Sequence, residues 1–327
     1  MSVTRVLVAN RGEIAVRIIN ACQSLGIETV AAVSEADRNS MAAQKADRAF
    51  CIGPPRSADS YLSVDALIAA AQATGCDALH PGYGFLSERA QLAQACAKHN
   101  IIFVGPSAEN IAQMGDKLEA RRIAQSSGVP TVPGSDHAKN AREAAGLAKS
   151  IGYPILLKAS AGGGGRGIKL VSNAGEMEAT FSTAAAEALA AFGNATLYME
   201  RYVGDARHIE VQVLGDHFGS VIHLGERDCS LQRRHQKIIE EAPAYALTEE
   251  IRIKVCEAAT TLARSIGYRS AGTIEFIYDN DTGEFYFLEM NTRIQVEHPV
   301  TEMITGVDIV ALQLRIARGE TLPYQQA

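Results

Sequence analysis

Residues 273–299 read TIEFIYDNDTGEFYFLEMNTRIQVEHP, two aromatic runs around a turn and then a dense polar tail. Asp281-Thr282-Gly283 supplies the loop of a β-hairpin. With Gly283 left-handed in a three-residue loop, Asn280 faces Glu284, Glu275 falls opposite Glu289, and Asn291 follows on the same face. Two carboxylates a few ångströms apart repel, so the pair needs a cation, a shared proton or solvent. Hard oxygen donors suit Mg²⁺ or Mn²⁺ held together with phosphate oxygens. From Glu289 to Glu297, nine residues carry two carboxylates, two amides and a guanidinium, a set suited to a metal-phosphate site. A solvated hairpin face is the plainer reading; Phe276, Phe285 and Phe287 weigh against it, because they look like core.

Toward the N-terminus the pattern changes. Short apolar strands at residues 6–9, 29–33, 76–79 and 101–104 alternate with helical sequence such as residues 15–24. That alternation predicts a doubly wound parallel sheet with ligand-accessible loops at its strand ends. Two such loops are Asn10-Arg11-Gly12-Glu13 and Pro81-Gly82-Tyr83-Gly84-Phe85, where glycines permit close backbone approach and equally permit a turn that only packs.

A boundary follows at Gly105-Pro106, and a single helix is expected over residues 110–125, carrying Lys117. Strand, glycine-rich loop and strand come next, at residues 154–158, 161–167 and 168–171, which is a flap. The run GGGGRG at residues 162–167 formally contains G-x-G-x-x-G, but a strand rather than a helix follows it, and a P-loop's lysine and hydroxyl are absent. Its free amides suit phosphate oxygens, with Lys158 as a point charge beside them. A helix at residues 174–190 and a strand at 197–200 complete a small α+β unit.

Antiparallel strands are expected at residues 207–214 and 220–226, with His208, Glu210 and Gln212 alternating on one face. Alone, that alternation describes an ordinary half-buried sheet. Residues 226–241, ERDCSLQRRHQKIIEE, read as a charged loop able to clamp an anion. Cys229 within it lacks an identifiable base and is not assigned as a nucleophile. Another helix is expected at residues 249–266.

The totals exclude several classes. At 327 residues the chain builds about two to three domains. A net charge of −6 gives no global field for nucleic acid or an anionic membrane, and no run reaches spanning length. Six cysteines without metal-like spacing indicate reduced thiols and, with no leader pattern, a cytoplasmic setting.

The motifs NRGEIA, HPGYGFLSE, KASAGGGGRG, RHIEVQV, ERDCSLQRRHQK and EMNTRIQVEHPVTEM, in this order across the chain, resemble those of biotin carboxylase, an ATP-grasp ligase. The resemblance implies a Rossmann-like domain over residues 1–113 and a connecting helix or linker over 114–130. It further implies a mobile ATP-grasp lid over 131–203 and an ATP-grasp catalytic domain over 204–327, part of an antiparallel-sheet domain that continues further in the family. In the family that continuation carries an arginine facing the biotin ureido oxygen, for which no match can be named here. It implies that Lys117, Lys158, Gly164, Gly165 and His208 contact ATP, that Glu200 and Val203 hold the adenine, and that His235 lies nearby. Glu275, Glu289 and Asn291 would bind Mg²⁺ or Mn²⁺; Lys237, Arg293, Gln295 and Val296 would surround bicarbonate, with Glu297 as the base. The partners implied are a biotin carboxyl carrier protein or domain, carboxyltransferase subunits and a second copy of the chain, within an acetyl-CoA, propionyl-CoA or pyruvate carboxylase. No Met-Lys-Met biotin attachment sequence occurs in these residues, so the carrier is expected elsewhere. Two other readings use the same nucleotide chemistry: an ATP-grasp ligase with a different acceptor, and a catalytically silent ATP-binding subunit.

Overall fold

The structure, a computed structural model, describes residues 3–160, 167–234 and 236–326. Its first part alternates strand and helix: β1 (Arg5–Val8), α1 (Gly12–Ser24), β2 (Glu28–Ser34), α2 (Met41–Lys45), β3 (Arg48–Gly53), α3 (Val64–Thr74), β4 (Ala78–His80), α4 (Ala90–Lys98) and β5 (Ile102–Phe103). These strands form one parallel sheet in the order β3-β2-β1-β4-β5. The central strand β1 feeds both faces: Val6 and Val8 enter one core while Leu7 enters the other. β3 escaped the sequence reading because it is an edge strand with a mostly exposed, non-alternating pattern.

The two glycine loops of this sheet pack on each other. Asn10 Nδ2 donates to the carbonyls of Pro81 and Tyr83, each at 2.7 Å, and Tyr83 Oη donates to Glu13 at 2.7 Å. Gly82 has φ +63, and a Cβ there would stand 3.0 Å from Ile14 and 3.1 Å from Asn10. Glycine is required at this contact for packing.

The connection is two helices, α5 (Ala108–Gly115) and α6 (Lys117–Ser126), where a single one was expected. Asp116 between them is extended, and its carboxylate accepts from the amides of Leu118 and Glu119, each at 3.0 Å. A side chain that caps a new helix ends the old one, and Lys117 becomes the first residue of α6.

β6 (Gly134–Ala138), α7 (Ala141–Ile151), β7 (Ile155–Ala159), β8 (Ile168–Val171), α8 (Met177–Phe192) and β9 (Leu197–Arg201) form an antiparallel sheet, order β6-β9-β7-β8, backed by its own core. A second antiparallel sheet, order β12-β11-β10-β13-β14, is built from β10 (Ala206–Gly215), β11 (Val221–Arg233), β12 (Gln236–Glu241), β13 (Ser270–Asp279) and β14 (Phe285–Asn291). Here the expected charged loop is corrected: most of residues 226–241 is the β11/β12 hairpin, and Arg227 in it is wholly buried. Helix α9 (Glu249–Ser265) covers one face of this sheet. Helices α10 (His298–Thr305) and α11 (Ile309–Ala317) follow β14, and α11 returns to α1. As a result, Leu214, Ala271 and Ile294 share one core with Val6, Ile14, Ile18 and the α11 residues Ile309 and Leu314. Among the described residues no helix is long and apolar enough to cross a membrane.

Candidate active site

The hairpin β13/β14 positions its acids by a compensated register. At the turn, Asp279, not Asn280, bonds to Glu284, so the expected loop geometry is off by one. The loop spans residues 280–283 and ends at Gly283 with φ +72. The pairs Tyr278–Phe285 and Phe276–Phe287 keep that register until a bulge at the next step, after which Glu275 pairs with Glu289 and Thr273 with Asn291. The extra residue undoes the offset, so the two acids end up opposed. Behind them Phe276 meets Phe285 and Phe287 edge-on, with centroids 5.7 and 6.5 Å apart.

The hairpin opens onto a cavity of about 460 Å³. Lys117, Lys158, His208, Lys237, Glu275, Glu289, Asn291, Arg293, Gln295, Val296 and Glu297 all line it. At its centre lies the Lys237 ammonium, which donates to Glu297 at 2.6 Å, to Glu275 at 3.0 Å and to Glu210 at closer range. Burial works against this ammonium, but the three carboxylates outweigh it and raise the Lys237 pKa well above the usual lysine value. Burial would likewise raise Glu275, yet His208 and Lys237 hold it far below the usual carboxylate range. His208 Nε2 stands 2.9 Å from Glu275, an ion-pair contact.

Glu289 behaves differently. Burial and the charge of Glu275 raise its pKa, and Lys117, at 3.7 Å, opposes the rise. Asn291 donates to Glu275 at 2.8 Å and presents its amide oxygen to Arg293 at 2.9 Å. Arg293 also bonds Glu88, from the HPGYGFLSE loop, at 2.9 Å, tying the first sheet to the site.

On the lid side Lys158 is bonded to Glu200, and Arg121 of α6 reaches the same carboxylate at 3.0 Å. All three are buried. The Glu200 carboxylate is therefore committed to two cations, and neither Glu200 nor Val203 lines the cavity. Gly164, Gly165 and His235 lie outside the described residues.

Sequence reasoning missed Arg121 and Glu88, and passed over Glu210 as ordinary sheet. Glu88 had a signal in the polar end of an apolar loop motif; Arg121, on a helix with three other charged residues, had none.

A four-stranded antiparallel lid sheet and an acid-bearing antiparallel sheet, with Lys158 of the first and the acids of the second lining one cavity, is the arrangement of an ATP-grasp ligase. Two family models match: the biotin carboxylase N-terminal domain over residues 2–111, and the carbamoyl-phosphate synthase L chain ATP-binding domain over residues 116–325. Biotin carboxylase 1 of Bacillus subtilis is 53% identical over 99% of this chain and 72% of its own length. Biotin carboxylase of Nostoc sp. is 55% identical over 100% of this chain and 73% of its own length. A Campylobacter jejuni biotin carboxylase in complex with β,γ-ATP superposes with TM-score 0.95, at 50% identity, covering 99% of this chain and 73% of that one. The biotin carboxylase domain dimer of Hydrogenobacter thermophilus 2-oxoglutarate carboxylase, with MgADP, ADP and bicarbonate, superposes with TM-score 0.93 at 52% identity, covering 99% and 71%. The chain belongs to the biotin carboxylase family.

Proposed function

We propose that this chain performs the ATP-dependent carboxylation of biotin, and that ATP and bicarbonate react in the cavity around Lys237. The observation that supports this assignment is the Lys237 ammonium bridging Glu297 and Glu275, which joins Glu297 to one of the two opposed acids. In this reading Lys117 and Lys158 hold nucleotide phosphates, and Lys158 exchanges Glu200 for a phosphate oxygen. Bicarbonate sits between Lys237, Arg293, Gln295 and Val296. Glu297 accepts its proton, and the freed oxygen attacks the γ-phosphorus as the bond to ADP breaks. The carboxyphosphate formed splits into CO₂ and phosphate; phosphate takes the N1 proton of biotin, and N1 then captures CO₂. The ammonium of Lys237 and the guanidinium of Arg293 offset the charge that accumulates on the transferring group.

The donor set fits a hard divalent cation. Glu275 and Glu289 oppose each other in register, and the repulsion that raises Glu289 is of the kind a cation relieves. Mg²⁺ or Mn²⁺ held by Glu275, Glu289 and Asn291 would neutralise phosphate charge. The biotin is taken from a carrier protein or domain, and the carboxyl group passes on to a carboxyltransferase partner.

Bicarbonate-dependent ATP cleavage with Mg²⁺, followed with and without free biotin, tests the assignment. Glu297→Gln is expected to lower that cleavage by roughly a hundredfold or more while the affinity for an ATP analogue changes little. Equal loss of both would remove Glu297 from the role of base.

A further inference from the structure

Arg227 lies on β11 beneath the cavity, outside the set of residues that line it, and is 0% exposed. A guanidinium carries five N–H donors in a rigid fork. Each finds an acceptor here. Nε donates to Glu210 Oε1 at 2.6 Å; Nη1 donates to Gln212 at 3.1 Å and to Thr301 at 2.8 Å; Nη2 donates to Gln295 at 2.8 Å and to Thr273 at 3.4 Å. These acceptors come from β10, β13, the turn after β14 and α10, so one planar group fixes four segments.

Two of the contacts lead directly to the reacting groups. Glu210 is also 0% exposed; its second oxygen receives Lys237, so the carboxylate passes the position of Arg227 on to the central ammonium. Gln295 accepts from Arg227 through Oε1, which forces its Nε2 toward the cavity side, where it donates to Glu275 at 3.1 Å. An amide can be flipped without steric cost, so a buried cation on its oxygen is what sets its direction. Among the described residues, the hydrogen bonds of Arg227 do not reach Lys117 or Lys158 on the nucleotide side, whose partners are Glu289 and Glu200.

We propose that Arg227 is the positioning residue of the bicarbonate half of this site, orienting Gln295 directly and Lys237 through Glu210. The proposal rests on the assignment of Lys237 and Gln295 to bicarbonate made above. Lysine cannot reproduce a five-donor fork, so Arg227→Lys keeps the charge and removes the alignment.

The test measures binding in the full chain and needs no turnover: ¹³C-bicarbonate in the presence of MgADP by ¹³C NMR, and an ATP analogue by calorimetry. Arg227→Lys is expected to weaken bicarbonate about tenfold, with nucleotide affinity held within about twofold. Unchanged bicarbonate affinity, or equal loss of both ligands, overturns the proposal. Lys237→Gln separates the two levels. If it weakens bicarbonate and Arg227→Lys does not, only the positioning role falls; if it leaves bicarbonate binding intact, the assignment beneath falls and the proposal with it. Should Arg227→Lys fail to fold, Thr301→Val removes a single acceptor on α10 and is expected to weaken bicarbonate about threefold. No change in that variant overturns the proposal as well.

Discussion

His208 shows how opposed effects resolve at one residue. Burial lowers its pKa, but the Glu275 carboxylate more than compensates and leaves it above the ordinary value of 6.5. Charged His208 therefore stabilises the fold fully below about pH 6.5, and this contribution is lost as pH rises through the elevated folded value. The depressed Glu275 has the opposite sense: its contribution is present above the ordinary carboxylate range and lost as pH falls through its folded value. Replacing Glu275 by Gln leaves burial, the largest effect, and Lys237 lowering the imidazole pKa, opposed only by the weaker charge of Glu210. The His208 NMR titration midpoint is expected above 6.5 in the parent and below 6.5 in Glu275→Gln; an unchanged midpoint would contradict the pairing. At this scale the sequence was partly legible. Alternation along two strands placed Glu275 against Glu289, whereas Glu210 read as ordinary half-buried sheet and Arg227 as part of an anion-clamping loop, because their burial depends on α10 and the turn after β14 closing over β11.

Elements were read well where period and punctuation agreed. The pattern over residues 110–125 is apolar at helical spacing throughout, so it suggested one helix; the break was written in Asp116 and Glu119, a cap followed three residues later by an acid. Removing the cap with Asp116→Ala is expected to cost about 1 kcal/mol in urea unfolding. It should also weaken nucleotide binding, because Lys117 is the first residue of the capped helix; intact stability would show that tertiary contacts alone define the break. The β14 bulge had no comparable signal. A turn one residue longer than assumed and a bulge one residue wide cancel in the pairing of Glu275 with Glu289, while the bulge turns Phe287 and Glu289, two residues apart, to opposite faces.

At the scale of the molecule, the first sheet and the acid-bearing sheet share a core, while the sheet of β6 to β9 has a core to itself. Arg17 on α1 bonds Glu302 at 2.8 Å and Asp308 at 2.6 Å, reinforcing the contact between α1 and α11. Arg17→Ala is expected to destabilise this shared core by about 2 kcal/mol, shifting the unfolding of both sheets together in calorimetry. Separate transitions for the two sheets would contradict a shared core. The sequence hinted at this union only in α11, whose run IVALQLRIA is apolar on most of its circumference and so belongs between layers. Nothing local indicated that α1 would be the layer it meets.

That shared core sets a timetable for biosynthesis. Arg17 waits 285 residues for Glu302 and 291 for Asp308. At roughly 5–20 residues per second, the interval is about 15–60 s, far longer than a helix or a strand pair needs to form. Throughout it Ile14, Ile18 and Ile19 have no α11 to cover them, and the nascent first sheet presents that apolar face on the ribosome. The same seam that joins the two sheets in the finished enzyme leaves the packing of its opening third dependent on a late-arriving helix.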